Sequence, residues 1–106
     1  MMNKEEKTIK ALSDVTVIDL GNQLAGSWCA MFLGDLGAEV IHIEPPGGDE
    51  SRKTGPFLGK PDKNASAGFI NVNRNKEGIV LDLDSQKGKK VLRDLIERSD
   101  VIVEDF

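Results

Sequence analysis

Three aspartates lie near the ends of apolar runs, where a carboxylate can act as a nucleophile or accept a phosphoryl group. Asp19 falls within residues 15–20, Asp82 falls near the end of residues 78–83, and Asp84 follows that run directly. Structural roles compete with this chemistry. Helix capping or a solvated turn is the favoured interpretation of Asp84, and a hydrogen-bonded role within the strand is plausible for Asp19.

A small-residue segment, GNQLAG at residues 21–26, follows the first apolar run and precedes a predicted helix. Small residues there would let backbone amides approach a phosphate at the start of the helix. The segment is neither the six-residue glycine fingerprint of dinucleotide-binding folds nor a P-loop. On spacing alone, a tight strand-to-helix turn with a packing glycine is the favoured interpretation.

The chain has one histidine, one cysteine and one tryptophan, and none of them indicates a catalytic centre. His42 has no second histidine or cysteine near it, so we expect no metal site and place it on a strand face or at an interface. We expect Cys29 to be a small buried hydrophobic residue rather than a nucleophile. Trp28 is expected in the core.

The elements that must position these residues follow from the apolar pattern. Nearly continuous β-branched runs predict strands at residues 15–20, 39–44, 78–83 and 101–106, and such runs are typical of strands buried on both faces of a parallel sheet. Residues 67–76 are ambiguous, with a short helix or strand followed by a turn.

Two helices are predicted between the strands, each with one apolar stripe at three- and four-residue spacing. The first would end at Gly37 in a left-handed cap, and the second would begin after Asp84 or Ser85. The stripe of the first helix comprises Leu24, Trp28, Met31, Phe32 and Leu36. The stripe of the second helix comprises Val91, Leu92, Leu95 and Ile96.

This order of elements predicts an α/β fold, a parallel sheet with flanking helices and right-handed crossovers. Ligands of such sheets bind outside the carboxyl ends of the strands. The long connection at residues 45–68 is of a kind that is often functional, and its cations could meet phosphates or only keep it soluble. The candidate site therefore comprises residues 21–26, 45–52, 82–85 and 104–106.

Length and composition exclude several classes of protein. The 106 residues, 39% hydrophobic and 30% charged, fit one small folded domain. A net charge of −4 is unlike the basic face of a nucleic-acid binder. No apolar stretch approaches the about 20 residues that span a bilayer, and the charged start carries no signal segment. We therefore expect a cytoplasmic protein with neither nucleic acid nor membrane as a partner, and a polar leader at residues 1–11.

Together these segments resemble the amino-terminal part of the class III coenzyme A transferases, the family of formyl-CoA and carnitine-CoA transferases. The resemblance covers residues 12–106. It rests on three motifs in a fixed order: AG followed by DLGAEVI-x-IE-PP-GGD-x-x-R, then N-x-NK before an LDL strand, and finally DV-x-VE-x-F. It implies a Rossmann-like CoA-binding domain at residues 12–106, in a homodimer whose two chains interlock.

The resemblance also implies a reaction. CoA is transferred from an acyl-CoA to a carboxylic acid through an aspartyl intermediate, with CoA and acyl-CoA as substrates and no permanently bound cofactor. Pro45 stands where some members have a phosphate-binding arginine, and Asp105 stands where the family has asparagine. The CoA-binding residues that the resemblance implies are Leu24, Ala25, Leu81, Asp84, Asp105 and Phe106.

The family's nucleophilic aspartate lies well downstream of the EDF segment, so the resemblance assigns no catalytic residue to this sequence. We therefore expect the first part of such an enzyme, inactive alone. The alternative is a stand-alone nucleotide- or anion-binding α/β module without catalysis. A response-regulator-like protein is a weaker alternative, because the paired acids expected after the first strand are absent.

Overall fold

The computed structural model describes residues 9–22, 24–59 and 65–106. It confirms the α/β class: these residues form a four-stranded, all-parallel sheet with flanking helices. The strands are β1 (Thr16–Asp19), β2 (Glu39–Glu44), β3 (Lys76–Val80) and β4 (Val101–Val103). The helices are α1 (Leu24–Asp35), α2 (Ala67–Val72) and α3 (Gln86–Glu97), and a 3₁₀ turn spans Glu50–Lys53.

The strands lie in the order β3-β2-β1-β4. The chain therefore adds β2 and β3 on one side of β1 and then returns to add β4 on the other side of β1. In the register, Asp19 lies opposite His42 of β2 and Val103 of β4. The strand order reverses between β1 and β4, and open parallel sheets bind ligands at the carboxyl ends of such a pair.

Three strands differ from their predicted bounds, whereas β2 matches them. β1 and β4 are shorter, and β3 begins two residues earlier, at Lys76, and ends at Val80. Leu81 still donates to the Glu44 carbonyl, after which the chain turns away. The prediction of a turn ending at Lys76 is wrong at this residue, which begins β3, and its ammonium reaches the Asp19 carboxylate across the sheet.

The apolar stripe predicted for α1 is exposed, apart from Met31, which corrects the expectation that it lines the core. Trp28 is also half-exposed, and Cys29 is exposed rather than buried. The helix instead buries a face of small residues, because this face allows its backbone to approach the sheet closely. A Cβ added at Gly34 would lie 3.3 Å from the Val40 side chain. The buried residues of α1 are Gly26, Ser27, Ala30, Met31 and Gly34.

The stripe of α3 is also less buried than predicted, since Val91 is exposed and Gly88 is the buried residue of this helix. Its capping follows the sequence. The Ser85 hydroxyl accepts from the Gly88 amide at 3.0 Å, which satisfies a free N–H of the first turn. Gly37 has the positive φ of 108° expected of the residue that ends α1.

The connection from residue 45 onward contains two ordered elements that the sequence left open. Asp49 caps the 3₁₀ turn by accepting from the Ser51 amide. Ser66 caps α2 by accepting from the Phe69 amide, and it donates to the Thr54 carbonyl. Residues 60–64 of this connection and residues 1–8 of the predicted leader lie outside the described part of the chain. No described helix is long and apolar enough to cross a bilayer.

Candidate functional site

Two neighbouring clefts open near the carboxyl ends of the strands, and Asn22 lines both of them. The smaller cleft, about 260 Å³, lies where the chain leaves β1, β2 and β3. Its walls are Leu20, Asn22, Ile43, Glu44, Pro45, Pro46, Leu81, Asp82, Leu83, Asp84 and Phe106. All four predicted site segments therefore contribute, since residues 21–26, 45–52, 82–85 and 104–106 each supply part of this wall.

The smaller cleft combines an apolar floor with an acidic rim. Asp82 and Asp84 are its exposed carboxylates, Glu44 is buried and paired with Arg52, and no lysine or arginine is among the described residues of its wall. Phe106 is 85% exposed and presents its ring at one side. A flat, uncharged heterocycle fits such a surface, because aromatic side chains stack on bases. A phosphate would be repelled by the carboxylates.

The larger cleft, about 410 Å³, lies between the start of α1, the 3₁₀ turn and α2. Leu24 and Trp28 line it from α1, Ser51 and Thr54 from the turn, and Phe69 from α2. The wall is mostly apolar, with hydroxyl and amide groups interspersed. It can therefore hold an extended chain of mixed polarity.

Asp105 lies at the boundary of the two clefts and holds the start of α1. Its carboxylate accepts from the Asn22 amide at 3.2 Å and from the Gly26 amide at 3.0 Å. A Cβ added at Gly26 would lie 2.7 Å from this carboxylate, so the approach requires glycine. Two amides that the sequence offered for a phosphate are thus bound to an internal anion, which the helix start favours.

The six predicted CoA-binding residues separate into groups. Leu81, Asp84 and Phe106 line the smaller cleft, and Leu24 lines the larger one. Asp105 lies between them as described, and Ala25 is exposed in the first turn of α1. Asp84 does not cap α3, because Ser85 is the cap. Asp84 instead lies exposed in the turn before the helix.

A buried charge cluster lies beneath the clefts, and the sequence did not reveal it. It comprises Asp19, His42, Glu44, Asp49, Arg52 and Lys76. Asp19 accepts from His42 Nδ1 at 2.9 Å and from Lys76 Nζ at 2.8 Å, and all three side chains are almost inaccessible. A hydrogen-bonded structural role for Asp19, one of the interpretations of the sequence, therefore fits this arrangement.

Burial desolvates the Asp19 carboxylate and on its own would raise its pKa. Hydrogen bonds from His42 and Lys76, together with the positive charge of Lys76, outweigh that effect and lower the Asp19 pKa below its usual value of 3.8. The carboxylate is therefore held as an anion. An anion whose two strongest partners are internal is poorly suited to act as a nucleophile.

The cluster continues toward the larger cleft through a second pair. Arg52 donates to both carboxylate oxygens of Glu44, at 3.0 and 3.1 Å, and its guanidinium lies 3.9 Å from the centre of the Phe69 ring. Such stacked, forked geometry suits arginine in particular. In the described part of the chain, no group of three or more histidine, cysteine, aspartate or glutamate side chains could hold a metal ion.

A parallel α/β domain with clefts at its carboxyl edge is a common ligand-binding architecture, and comparison with known proteins makes the class specific. The chain belongs to CoA-transferase family III, whose model matches residues 12–106. It is 43% identical over 97 residues to a succinyl-CoA:mesaconate CoA-transferase of Haloarcula hispanica, covering 91% of this chain and 24% of that protein. It is 44% identical over 100 residues to the human succinyl-CoA:glutarate CoA-transferase, covering 92% and 22%.

Solved structures agree with this assignment. A crystal structure of a CAIB/BAIF family protein from Brucella suis superimposes with a TM-score of 0.84 at 37% identity, covering 92% of this chain and 26% of that chain. A hypothetical protein from Mycobacterium tuberculosis gives 0.82 at 32% identity, covering 94% and 26%. The chain thus spans about a quarter of the length of the relatives it matches.

Proposed function

We propose that these 106 residues form a CoA-binding part of an enzyme that transfers CoA from an acyl-CoA to a carboxylic acid. The observation that carries the proposal is the smaller cleft, where Leu81, Asp84 and Phe106 meet at the edge where parallel sheets bind ligands. The names of the relatives, which include succinyl-CoA:mesaconate and succinyl-CoA:glutarate transferases, support CoA thioesters as the substrates.

The adenosine end of CoA fits the smaller cleft better than its phosphates do. The adenine ring is flat and uncharged, so it can lie between Leu81 and the Phe106 ring. A carboxylate at the end of a strand can accept a hydrogen bond from a ribose hydroxyl, as in dinucleotide-binding folds, and Asp82 and Asp84 are in position to accept from the free 2′-hydroxyl of CoA. The 3′-phosphate and the pyrophosphate would then point away from the acidic rim toward solvent.

The pantetheine arm and the acyl group would extend past Asn22 into the larger cleft. The two clefts share this residue, and the wall beyond it carries apolar and hydroxyl groups suited to an extended chain. Leu24 and Trp28 would contact that arm. Leu24 offers apolar contact only, whereas many formyl-CoA enzymes have glutamine there.

The reacting carboxylate would come from outside these 106 residues. In the proposed reaction it attacks the thioester carbonyl, releases the CoA thiolate and forms a mixed anhydride; the thiolate then attacks the aspartyl carbonyl, expels the donor carboxylate and yields the aspartyl-CoA thioester. The acceptor carboxylate attacks that thioester to form a second anhydride, and the thiolate then attacks the acceptor carbonyl, which gives the new acyl-CoA and frees the aspartate. The buried Asp19 is paired internally and does not fit this role. Assembly as an interlocked homodimer, a cytoplasmic location and a domain beginning at residue 12 are further parts of the proposal.

Titration of the ¹⁵N-labelled chain with CoA tests the site. We expect weak binding, millimolar or weaker, with amide shifts concentrated at Leu20–Asn22, Leu81–Asp84 and Phe106. Phe106→Ala should abolish these shifts, and the matched variant Phe57→Ala, in a side chain outside both cleft walls, should keep them. Micromolar affinity, or shifts confined to residues far from these segments, would show that the site is wrong.

Two further arms separate the proposal from the alternative of a general nucleotide- or anion-binding module. CoA and 3′-phospho-AMP should give the same shifts in the smaller cleft, and inorganic phosphate should give none there. An acyl-CoA should also perturb Trp28. An equal response to phosphate would favour the alternative. The purified chain alone should not transfer CoA, and turnover that survives removal of host transferases would contradict the proposal that the reacting carboxylate lies elsewhere.

A further inference from the structure

His42 is buried with a carboxylate at each end of its ring. The side chain is 3% exposed; Nδ1 lies 2.9 Å from Asp19 Oδ2, and Nε2 lies 3.3 Å from Asp49 Oδ2. Glu44 Oε1 is a further neighbour of Nε2, at 3.8 Å. Nε2 nevertheless makes no aligned hydrogen bond within the described part of the chain. The carboxylates of Asp49 and Glu44 therefore surround Nε2 without forming a hydrogen bond to it.

The charges around this ring balance only if the ring carries a proton on each nitrogen. Three carboxylates face the cluster, from β1, β2 and the segment before the 3₁₀ turn, namely Asp19, Glu44 and Asp49. Two cations partly neutralise these carboxylates, namely Lys76 of β3 and Arg52 of the turn. A neutral imidazole would leave one excess negative charge in a buried site and would direct a lone pair at a carboxylate, and both effects are unfavourable.

Asp49 connects this ring to the wall of the larger cleft. While Oδ2 faces His42, Oδ1 accepts from the Ser51 amide at 2.9 Å and from the Ser51 hydroxyl at 2.8 Å. Ser51 lines the larger cleft together with Glu50 and Thr54. The position of this wall therefore depends on a carboxylate whose other oxygen faces the His42 ring on the sheet at 3.3 Å.

We propose that His42 is a positioning residue: as an imidazolium between Asp19 and Asp49, it fixes the 3₁₀ turn against the sheet and so sets the shape of the larger cleft. Glu77 is exposed on β3 and lines the same small cavity as His42, Glu44, Arg52 and Lys76.

The wild-type chain itself provides the first test, because it holds a single histidine. Long-range ¹H–¹⁵N spectra report whether each ring nitrogen carries a proton. We expect a proton on both nitrogens in the folded chain. A neutral ring would overturn the proposal.

Two substitutions separate positioning from simple packing. His42→Gln removes the charge and should speed hydrogen exchange at Ser51 and Thr54 about tenfold, whereas His42→Lys restores a cation and should keep that exchange slow. If His42→Gln does not fold, Asp49→Asn decides, because it keeps an oxygen for the Ser51 amide but removes the charge that faces the ring. Exchange at Ser51 that is as slow in Asp49→Asn as in the wild type would overturn the link between the ring and the turn.

The inference rests on the proposed function only in that the turn walls a proposed ligand cleft. Its readouts need no ligand, so failure of CoA to bind leaves them interpretable. If CoA binds at the smaller cleft while the ring proves neutral, the positioning role fails and the proposed function stands.

Discussion

The charge cluster and the outer faces of the helices reverse the usual distribution of charged and apolar residues. In the cluster, the Asp19 and Lys76 side chains are 0% and 1% exposed and meet at 2.8 Å. On α1, by contrast, Phe32 is 50% exposed, and Trp28 meets it edge-to-face on the surface. Apart from His42 Nε2, the polar groups of the inner region are paired with one another, and the outer region offers apolar area without a described cover.

Buried charge pairs and exposed apolar side chains thus lie in separate parts of this domain and have different effects. Buried charge pairs specify how the sheet and its loops fit together, since an unpaired charge there is costly. Exposed apolar side chains on α1 and α3 instead favour association, because burying them against another surface releases water. Variants in one region should therefore change folding, and variants in the other should change assembly.

The largest effect is expected from Lys76→Met, which leaves the buried Asp19 carboxylate with one fewer cation. Breaking a buried pair by removing one partner costs about 3–5 kcal/mol, a large part of the stability of a small domain. Urea denaturation followed by Trp28 fluorescence measures it. The matched control is Arg74→Met, which removes an aspartate-bound cation from the surface pair with Asp35 and should shift the midpoint little. Equal shifts in the two variants would show that burial does not distinguish the pairs.

The exposed face of α1 should make the chain self-associate, and Phe32→Gln should weaken that association about tenfold or more by removing most of an aromatic contact. Sedimentation at a series of protein concentrations measures the effect. Ile9→Gln is the control, because Ile9 is 89% exposed but lies outside α1. A clean monomer with a sharp, cooperative unfolding transition in the wild type would contradict the prediction.

Acid should weaken the cluster in a defined direction. The pKa of Asp19 is lowered on folding, so the unfolded chain binds the proton more readily. The stability that this carboxylate contributes is present above its ordinary pKa of 3.8 and is lost as the pH falls through the lower folded value. Urea midpoints between neutral pH and about pH 3 should fall for the wild type and fall less steeply for Asp19→Asn. Parallel curves would show that other groups dominate acid unfolding.

The smallest effect concerns Asp105, which binds the start of α1 and adds a charge beside the proposed ligand. Asp105→Asn should strengthen CoA binding about twofold to threefold, as expected for one charge acting through solvent at this range. The asparagine oxygen can still accept from one amide of the α1 start. Asp94→Asn, on exposed α3, should leave the affinity unchanged. Both are measured by the same amide titration, and weaker binding in Asp105→Asn would mean that holding the helix matters more than charge.

Residues that begin or end helices and strands made much of the fold predictable. Pro45 ends β2 because it cannot extend a ladder, Gly37 ends α1, and Ser85 starts α3. The strand segments that supply the smaller cleft followed from the parallel order, because carboxyl ends meet at one edge.

What the sequence could not show depends on distances between elements. The face that α1 buries is set by how closely its backbone approaches Val40, and a stripe of large apolar residues predicts the opposite face. The pairing of Asp19 with His42 depends on strand register, and Lys76 joins them only because β3 begins early. Asp19 and His42 each lie inside an apolar run. A polar side chain in such a run was the one available sign of the buried cluster.

The position of β1 in the sheet also bears on when the domain can form during synthesis. The amide of Thr16 bonds the carboxylate of Asp100, 84 residues further along the chain, and β4 supplies one whole side of β1. During synthesis, β2 is therefore available to pair with β1 long before β4 is. In that interval one edge of β1 stays unpaired. Chaperone binding to the nascent chain should peak in that interval and fall once residues 101–103 leave the exit tunnel.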